Sequence, residues 1–189
     1  MVKEKTCVFI SGTGTNLKTL ILNSRNYNFP ININFIFSNN KNAKGLNLAK
    51  KFNIPHKVLN LKKKLNEKII LNELKKRNIS LICLAGYMKI LSKNFIKKFS
   101  GKIINIHPSL LPKHKGLNTF SKVLKAKEKF SGCTVHYVNE KLDSGKIILT
   151  KKIFLSKNEN EKTLKNKIQN KEYKAYSEAL FKIHNKVIF

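Results

Sequence analysis

Seven consecutive residues, Ile79-Ser80-Leu81-Ile82-Cys83-Leu84-Ala85, carry one polar side chain between them. A run this short and this apolar is a strand covered on both faces, because a strand with one wet face alternates polar and apolar residues. Strands of that kind belong to parallel sheets whose crossover helices cover both sides. The flanking segments have the matching order. Thr6 to Ile10 reads as a strand, and Leu17, Leu20 and Ile21 then have helical spacing. Ile31 to Phe37 reads as a strand, Gly45 to Phe52 as a helix stopped by Pro55, His56 to Leu59 as a short strand and Leu65 to Lys76 as a helix. Beyond the apolar run come a helix over Phe95 to Phe99, a strand over Lys102 to Ile106 and a helix over Leu117 to Lys127. Cys133 to Val138 and Lys146 to Leu155 read as strands joined by a turn, and Leu164 to Ile188 as a terminal helix. The order predicts an α/β fold. It is a Rossmann-like, doubly wound, mostly parallel sheet with right-handed crossovers, a C-terminal antiparallel strand pair and a terminal helix.

Composition removes several function classes. A chain of 189 residues with 41% hydrophobic residues builds one ordinary domain with a real core. No apolar run approaches the ~20 residues of a membrane helix, and Met1 to Lys5 does not open a signal peptide. Cys7, Cys83 and Cys133 are odd in number and lack CxxC spacing, so neither a disulfide framework nor a structural zinc site is expected. A reducing cytoplasm suits them. The net charge of +29 invites a nucleic-acid reading, yet of 39 basic residues only Arg25 and Arg77 are arginine, the side chain suited to bidentate phosphate and base contacts. The lysines are spread along the chain amid many Asn and Ile, as A/T-rich codons would produce. We expect no specific nucleic-acid partner and no membrane partner.

The chemistry concentrates in Ile104-Asn105-Ile106-His107-Pro108-Ser109-Leu110-Leu111-Pro112. Alternate residues of a strand face one side, so Asn105 and His107 point the same way. An amide N–H and a titratable ring N–H are what a developing oxyanion needs. A carboxylate nearby, such as Asp143, would favour the charged imidazole. Each residue alone is more often structural. Ser109 has no glycine-flanked elbow and reads as a loop residue, not a nucleophile.

Ser11-Gly12-Thr13-Gly14-Thr15-Asn16-Leu17 joins the first strand to the first helix. Glycines at a helix start suit a phosphate. The loop is neither GxGxxG nor a Walker A sequence. A tight turn with Thr15 or Asn16 as N-cap is the structural alternative. Ser11 to Asn16, Gly86 to Leu91 and Asn105 to Pro112 all follow strand ends, where ligands sit in doubly wound sheets, so they are expected to converge.

Taken together, Ile10 to Leu17, Leu84 to Leu91, Ile104 to Pro112, Gly132 to Val138, Leu142 to Gly145 and Gln169 to Tyr173 resemble the glycinamide ribonucleotide formyltransferases, folate-dependent enzymes of purine biosynthesis. The resemblance spans almost the whole chain in order and spacing. It implies a formyltransferase fold in a single domain over 1–189, with a nucleotide-binding half over 1–100 and a folate-binding, catalytic half over 101–189. It implies that 10-formyltetrahydrofolate is the co-substrate, that no metal takes part, and that the protein is a cytoplasmic monomer or homodimer. Gly14, Thr15 and Asn16, with Leu17 and Lys18, would hold the ribonucleotide phosphate, and Glu172 would bind the ribosyl glycinamide. Met88, Lys89, Ile90, Leu91, Asn105, Asn139, Glu140, Lys141, Leu142 and Asp143 would line the folate site. A basic residue from the Leu61 to Lys68 region belongs there too, and Lys64 and Lys68 both fit. Asn105 and His107 would polarise the formyl oxygen and stabilise the tetrahedral intermediate, with Asp143 keeping His107 protonated.

Four positions depart from the family pattern: Thr15 for Ser, Lys89 for Arg, Lys115 for Pro and Ser144 for Gly. None removes a catalytic group. The methionyl-tRNA formyltransferases share the central segment, but their N-terminal loop differs and they carry an extra C-terminal domain for which no residues remain here. A non-catalytic RNA-binding protein would need an aromatic and basic platform that is absent.

Overall fold

The computed structural model describes residues 2–60 and 64–185, except the side chain of Lys64. The strands are β1 (Glu4–Ile10), β2 (Ile31–Ser38), β3 (His56–Val58), β4 (Leu81–Leu84), β5 (Lys102–His107), β6 (Phe130–Tyr137) and β7 (Ile147–Phe154). The helices are α1 (Thr15–Ser24), α2 (Leu46–Lys51), α3 (Lys64–Lys76), α4 (Lys93–Lys98), α5 (Thr119–Lys125) and α6 (Glu161–Ile183). Every element expected from periodicity is present, with ends displaced by a few residues. The strands hydrogen-bond in the order β3-β2-β1-β4-β5-β6-β7. This is the mixed α/β sheet expected, mostly parallel with an antiparallel pair at its C-terminal end. The last residues of the expected terminal helix, 186–188, lie outside the described residues.

The chain divides into two compact units, 1–104 and 105–189. In the first, β1 pairs in parallel with β2 and β4, and β2 with β3. β4 is buried at all four positions, which explains why its sequence shows no alternation. Phe9, Phe37 and Phe95 are fully buried, and Phe9 meets both other rings with centroids 4.6 and 6.0 Å away. Such contacts add a little beyond the area they remove from water.

In the second unit β6 and β7 form the antiparallel ladder, from Phe130 opposite Phe154 to His136 opposite Ile147. Helix α6 buries Leu164, Ile168, Glu172, Ala175, Tyr176, Ala179 and Leu180. Those positions recur at helical spacing and make one stripe, which packs on β6 and β7. Asn160 caps the helix reciprocally. Its side chain accepts from the Thr163 N–H while the Thr163 hydroxyl accepts from the Asn160 N–H. Among the described residues, no helix is long and apolar enough to cross a membrane.

Candidate active site

β5 carries Asn105 and His107 two residues apart, and both reach one polar cluster in the second unit. His107 Nδ1 lies 3.3 Å from Asp143 Oδ2, and its Nε2 lies 2.9 Å from the His114 carbonyl oxygen. Both partners are acceptors, so a ring protonated on both nitrogens satisfies both contacts. His107 is 5% exposed and Asp143 9%. Asp143 sits in the left-handed region at φ +44, a conformation Asp tolerates better than most residues. Its carboxylate also accepts the Gly116 N–H at 2.8 Å. The turn before it is internally bonded: Asn139 Oδ1 accepts the Lys141 N–H at 3.0 Å, and the Ser144 hydroxyl contacts Asn139 Oδ1 and the Lys141 carbonyl. The departure at Ser144 therefore adds a tie to the segment that presents Asp143.

The sequence reading missed a fourth member, His136 on β6. Its Nδ1 lies 2.9 Å from the Tyr137 carbonyl and must donate to it, which leaves Nε2 as an acceptor for the Asn105 amide at 3.3 Å. Burial holds the His136 pKa below its usual value, against the opposing pull of the Tyr137 hydrogen bond and the Asp143 charge. The neutral ring thus fixes which way the Asn105 amide faces, because only its NH2 group can donate. A second N–H of that amide remains for a ligand. The signal was a histidine in a buried strand, facing the same sheet side as Thr134.

Thr134 anchors the proline-rich loop. Its hydroxyl donates to the Ser109 carbonyl at 2.7 Å and accepts the Leu111 N–H at 3.1 Å. The Ser109 hydroxyl donates to the Lys113 carbonyl at 2.7 Å, as befits a loop residue. Glu172 is buried on α6, and its charge helps raise Cys133, whose thiol burial pushes up to about 12. That thiol is protonated at neutral pH and is no nucleophile. Leu142 is exposed beside Asp143, and Asn139, Glu140 and Lys141 complete the turn.

In the first unit the glycine loop meets the Gly86 loop. The Ser11 N–H donates to the Gly86 carbonyl at 3.2 Å, and the Met88 N–H donates to the Ser11 hydroxyl at 2.8 Å. Asn39 accepts from the Ser11 hydroxyl, and the Asn40 amide donates to the Ser11 carbonyl at 3.0 Å. Neither asparagine was singled out from sequence, although both follow a strand end. Gly14, at φ +78, is the N-cap of α1 and no side chain caps it, which corrects the expectation of Thr15 or Asn16 there. Positive φ at Gly14 turns the chain into the helix and replaces the side-chain cap. The Lys18 N–H begins the helical ladder on the Gly14 carbonyl at 2.9 Å, so the N–H groups of Thr15, Asn16 and Leu17 precede it. The Leu17 side chain is fully buried and that of Lys18 exposed. On the second loop Met88, Lys89 and Ile90 are exposed, whereas the Leu91 side chain belongs to the core. Lys68 is exposed on α3, and the Lys64 side chain lies outside the described residues. Among the described residues no cluster of His, Cys, Asp and Glu could hold a metal.

Residues 4–180 match the formyl transferase family. The phosphoribosylglycinamide formyltransferase of Haemophilus influenzae is 39% identical over 178 residues, 92% of this chain and 84% of that protein. A crystal structure of phosphoribosylglycinamide formyltransferase from Brucella melitensis superposes with a TM-score of 0.91 at 35% identity, covering 100% of this chain and 99% of that one. The trifunctional purine biosynthetic protein adenosine-3 of Chironomus tentans is 40% identical over 184 residues, 94% of this chain, and the chain spans 13% of that relative's length. The chain belongs to the formyl transferase family, alongside relatives named phosphoribosylglycinamide formyltransferase.

Proposed function

We propose that this protein transfers the formyl group of 10-formyltetrahydrofolate to the amine of N1-(5-phosphoribosyl)glycinamide, a step of purine biosynthesis toward IMP, in the cytoplasm. The observation that carries the reading is the cluster of half-buried Asn105 with buried His107, Asp143 and His136, in which both His107 nitrogens face acceptors. The substrate amine attacks the formyl carbon, and negative charge grows on the formyl oxygen. The second Asn105 N–H and the His107 imidazolium stabilise that charge. One well-placed donor in such a site is worth about 2.7–4 kcal/mol. The amine loses a proton and the departing folate nitrogen gains one. His107 supplies that proton from Nδ1, whose 3.3 Å contact with Asp143 is the looser of its two, and takes back the one released. Attack by the substrate's own amine requires no covalent enzyme intermediate.

The N–H groups at the start of α1 would receive the substrate phosphate, with the Lys18 ammonium adding charge and Glu172 binding the glycinamide part. Exposed apolar side chains on loops suit a planar pterin ring, and Met88, Ile90 and Leu142 are of that kind. Lys89 and either Lys64 or Lys68 would meet the carboxylates of the folate tail. The test is product formation by the purified protein from 10-formyltetrahydrofolate, with glycinamide ribonucleotide and methionyl-tRNA as separate acceptors. Formylglycinamide ribonucleotide is expected. Formylation of the tRNA alone, or of neither acceptor by folded protein, would overturn the reading.

A further inference from the structure

Both arginines of the chain line one cavity in the first unit, and among the described residues no lysine does. The cavity measures about 540 Å³, inside the usual range for small-molecule sites. It lies among the C-terminal end of α1, the first residues of β2, the Asn53-Ile54-Pro55 segment before β3 and Arg77 after α3. That is the amino end of the parallel strands, whereas the glycine loop follows the carboxyl end of β1. Each guanidinium stacks on an aromatic ring, Arg25 over Phe52 and Arg77 over Phe35, both 4.6 Å from the centroid. A ring contact of this kind helps hold the group in place without using its N–H donors. Among the described residues no acceptor bonds the Arg25 guanidinium, and Arg77 Nε has only a long 3.5 Å ion pair with Glu73, which Lys57 shares at the same distance. The Oδ1 atom of Asn34, also in the lining, is buried without a hydrogen-bond partner among the described residues.

We propose that this cavity binds a phosphorylated, hydroxyl-bearing small molecule, separately from the candidate active site. Elsewhere in the chain lysine supplies nearly all positive charge. A planar fork can grip one anion through two parallel N–H bonds, which an ammonium cannot, and both forks are here. Asn34 Oδ1 lacks a donor, and a ligand hydroxyl supplies it. The site therefore pairs anion recognition with one accepted hydroxyl, the chemistry of a sugar phosphate. The Lys51 ammonium, 6.0 Å from the Phe52 ring, adds charge without geometry.

Having only two arginines makes the test direct. In protein labelled with 15N-arginine, the Nε–H region of an NMR spectrum holds two signals, and ribose 5-phosphate is titrated at constant ionic strength. Both signals are expected to shift saturably, with inorganic phosphate binding at least several-fold more weakly because it cannot satisfy Asn34 in the same pose. Arg25→Lys and Arg77→Lys keep the net charge, and each should weaken binding about tenfold or more. Asn32→Asp, at an exposed lining position, should abolish binding without disturbing the fold. Stationary arginine signals, or lysine variants that bind like wild type, would each overturn the proposal.

Discussion

His136 holds its single proton on Nδ1, against the Tyr137 carbonyl, and burial depresses its pKa in the folded protein. In the unfolded chain it titrates near 6.5. Between the depressed folded value and 6.5 the unfolded state binds more protons, so stability rises with pH through that window. The contribution is whole above 6.5 and is lost as pH falls below it. Glu128 and Glu159 are shifted downward from 4.5 by their lysine, histidine and hydroxyl partners, so their losses come at lower pH. We predict that His136→Gln, whose amide oxygen can take the place of Nε2, flattens the urea-midpoint profile as pH falls below about 6.5, where the unfolded histidine gains its proton and the buried one resists it. An unchanged acid-side slope would show that His136 is not the titrating group. The same variant should leave transfer slowed rather than abolished, because Asn105 keeps an acceptor for its inner N–H.

At the scale of elements, the entry to α1 depends on backbone that no side chain can share. A Cβ on Gly14 would stand 2.7 Å from Gly45 Cα and would force an L-residue to φ +78. Gly14→Ala should cost at least about 1–2 kcal/mol in chemical denaturation. At Gly12 a Cβ meets nothing within 4 Å, so Gly12→Ala should stay within about 0.5 kcal/mol of wild type. At the other end of the chain, Asn160→Ala removes half of a reciprocal cap and should cost about 1 kcal/mol in the same measurement. These elements were legible in the sequence to different depths. β4 and α6 announce themselves through an unbroken apolar run and a helical stripe. The shared orientation of Asn105 and His107 follows from the two-residue strand period. Period alone could not bring Asp143 to His107, because that contact depends on a left-handed residue closing a loop between β6 and β7; only family resemblance pointed to it. His136 escaped notice because its strand reads as core, and Gly14 displaced the expected caps because a positive φ leaves no mark beyond the glycine itself.

At the scale of the whole molecule, the charge of +29 acts as a field and not as a site. An anionic ribonucleotide would be drawn in by that field and released from its influence by salt. We predict that kcat/KM for glycinamide ribonucleotide falls several-fold between about 0.02 and 0.2 M salt while kcat changes little, since screening weakens long-range attraction more than buried contacts. A kcat that falls in step would place the salt effect on the buried cluster instead. The central claim is that the Asp143 charge supports His107 in the transfer step. The most direct test is single-turnover formyl transfer by Asp143→Asn beside wild type, with the urea midpoint measured on both. The Gly116 N–H still finds a carbonyl oxygen in the variant, so the fold should hold. We predict a loss of about 10² to 10⁴ in rate at an unchanged midpoint. Transfer at the wild-type rate by the folded variant would contradict the account.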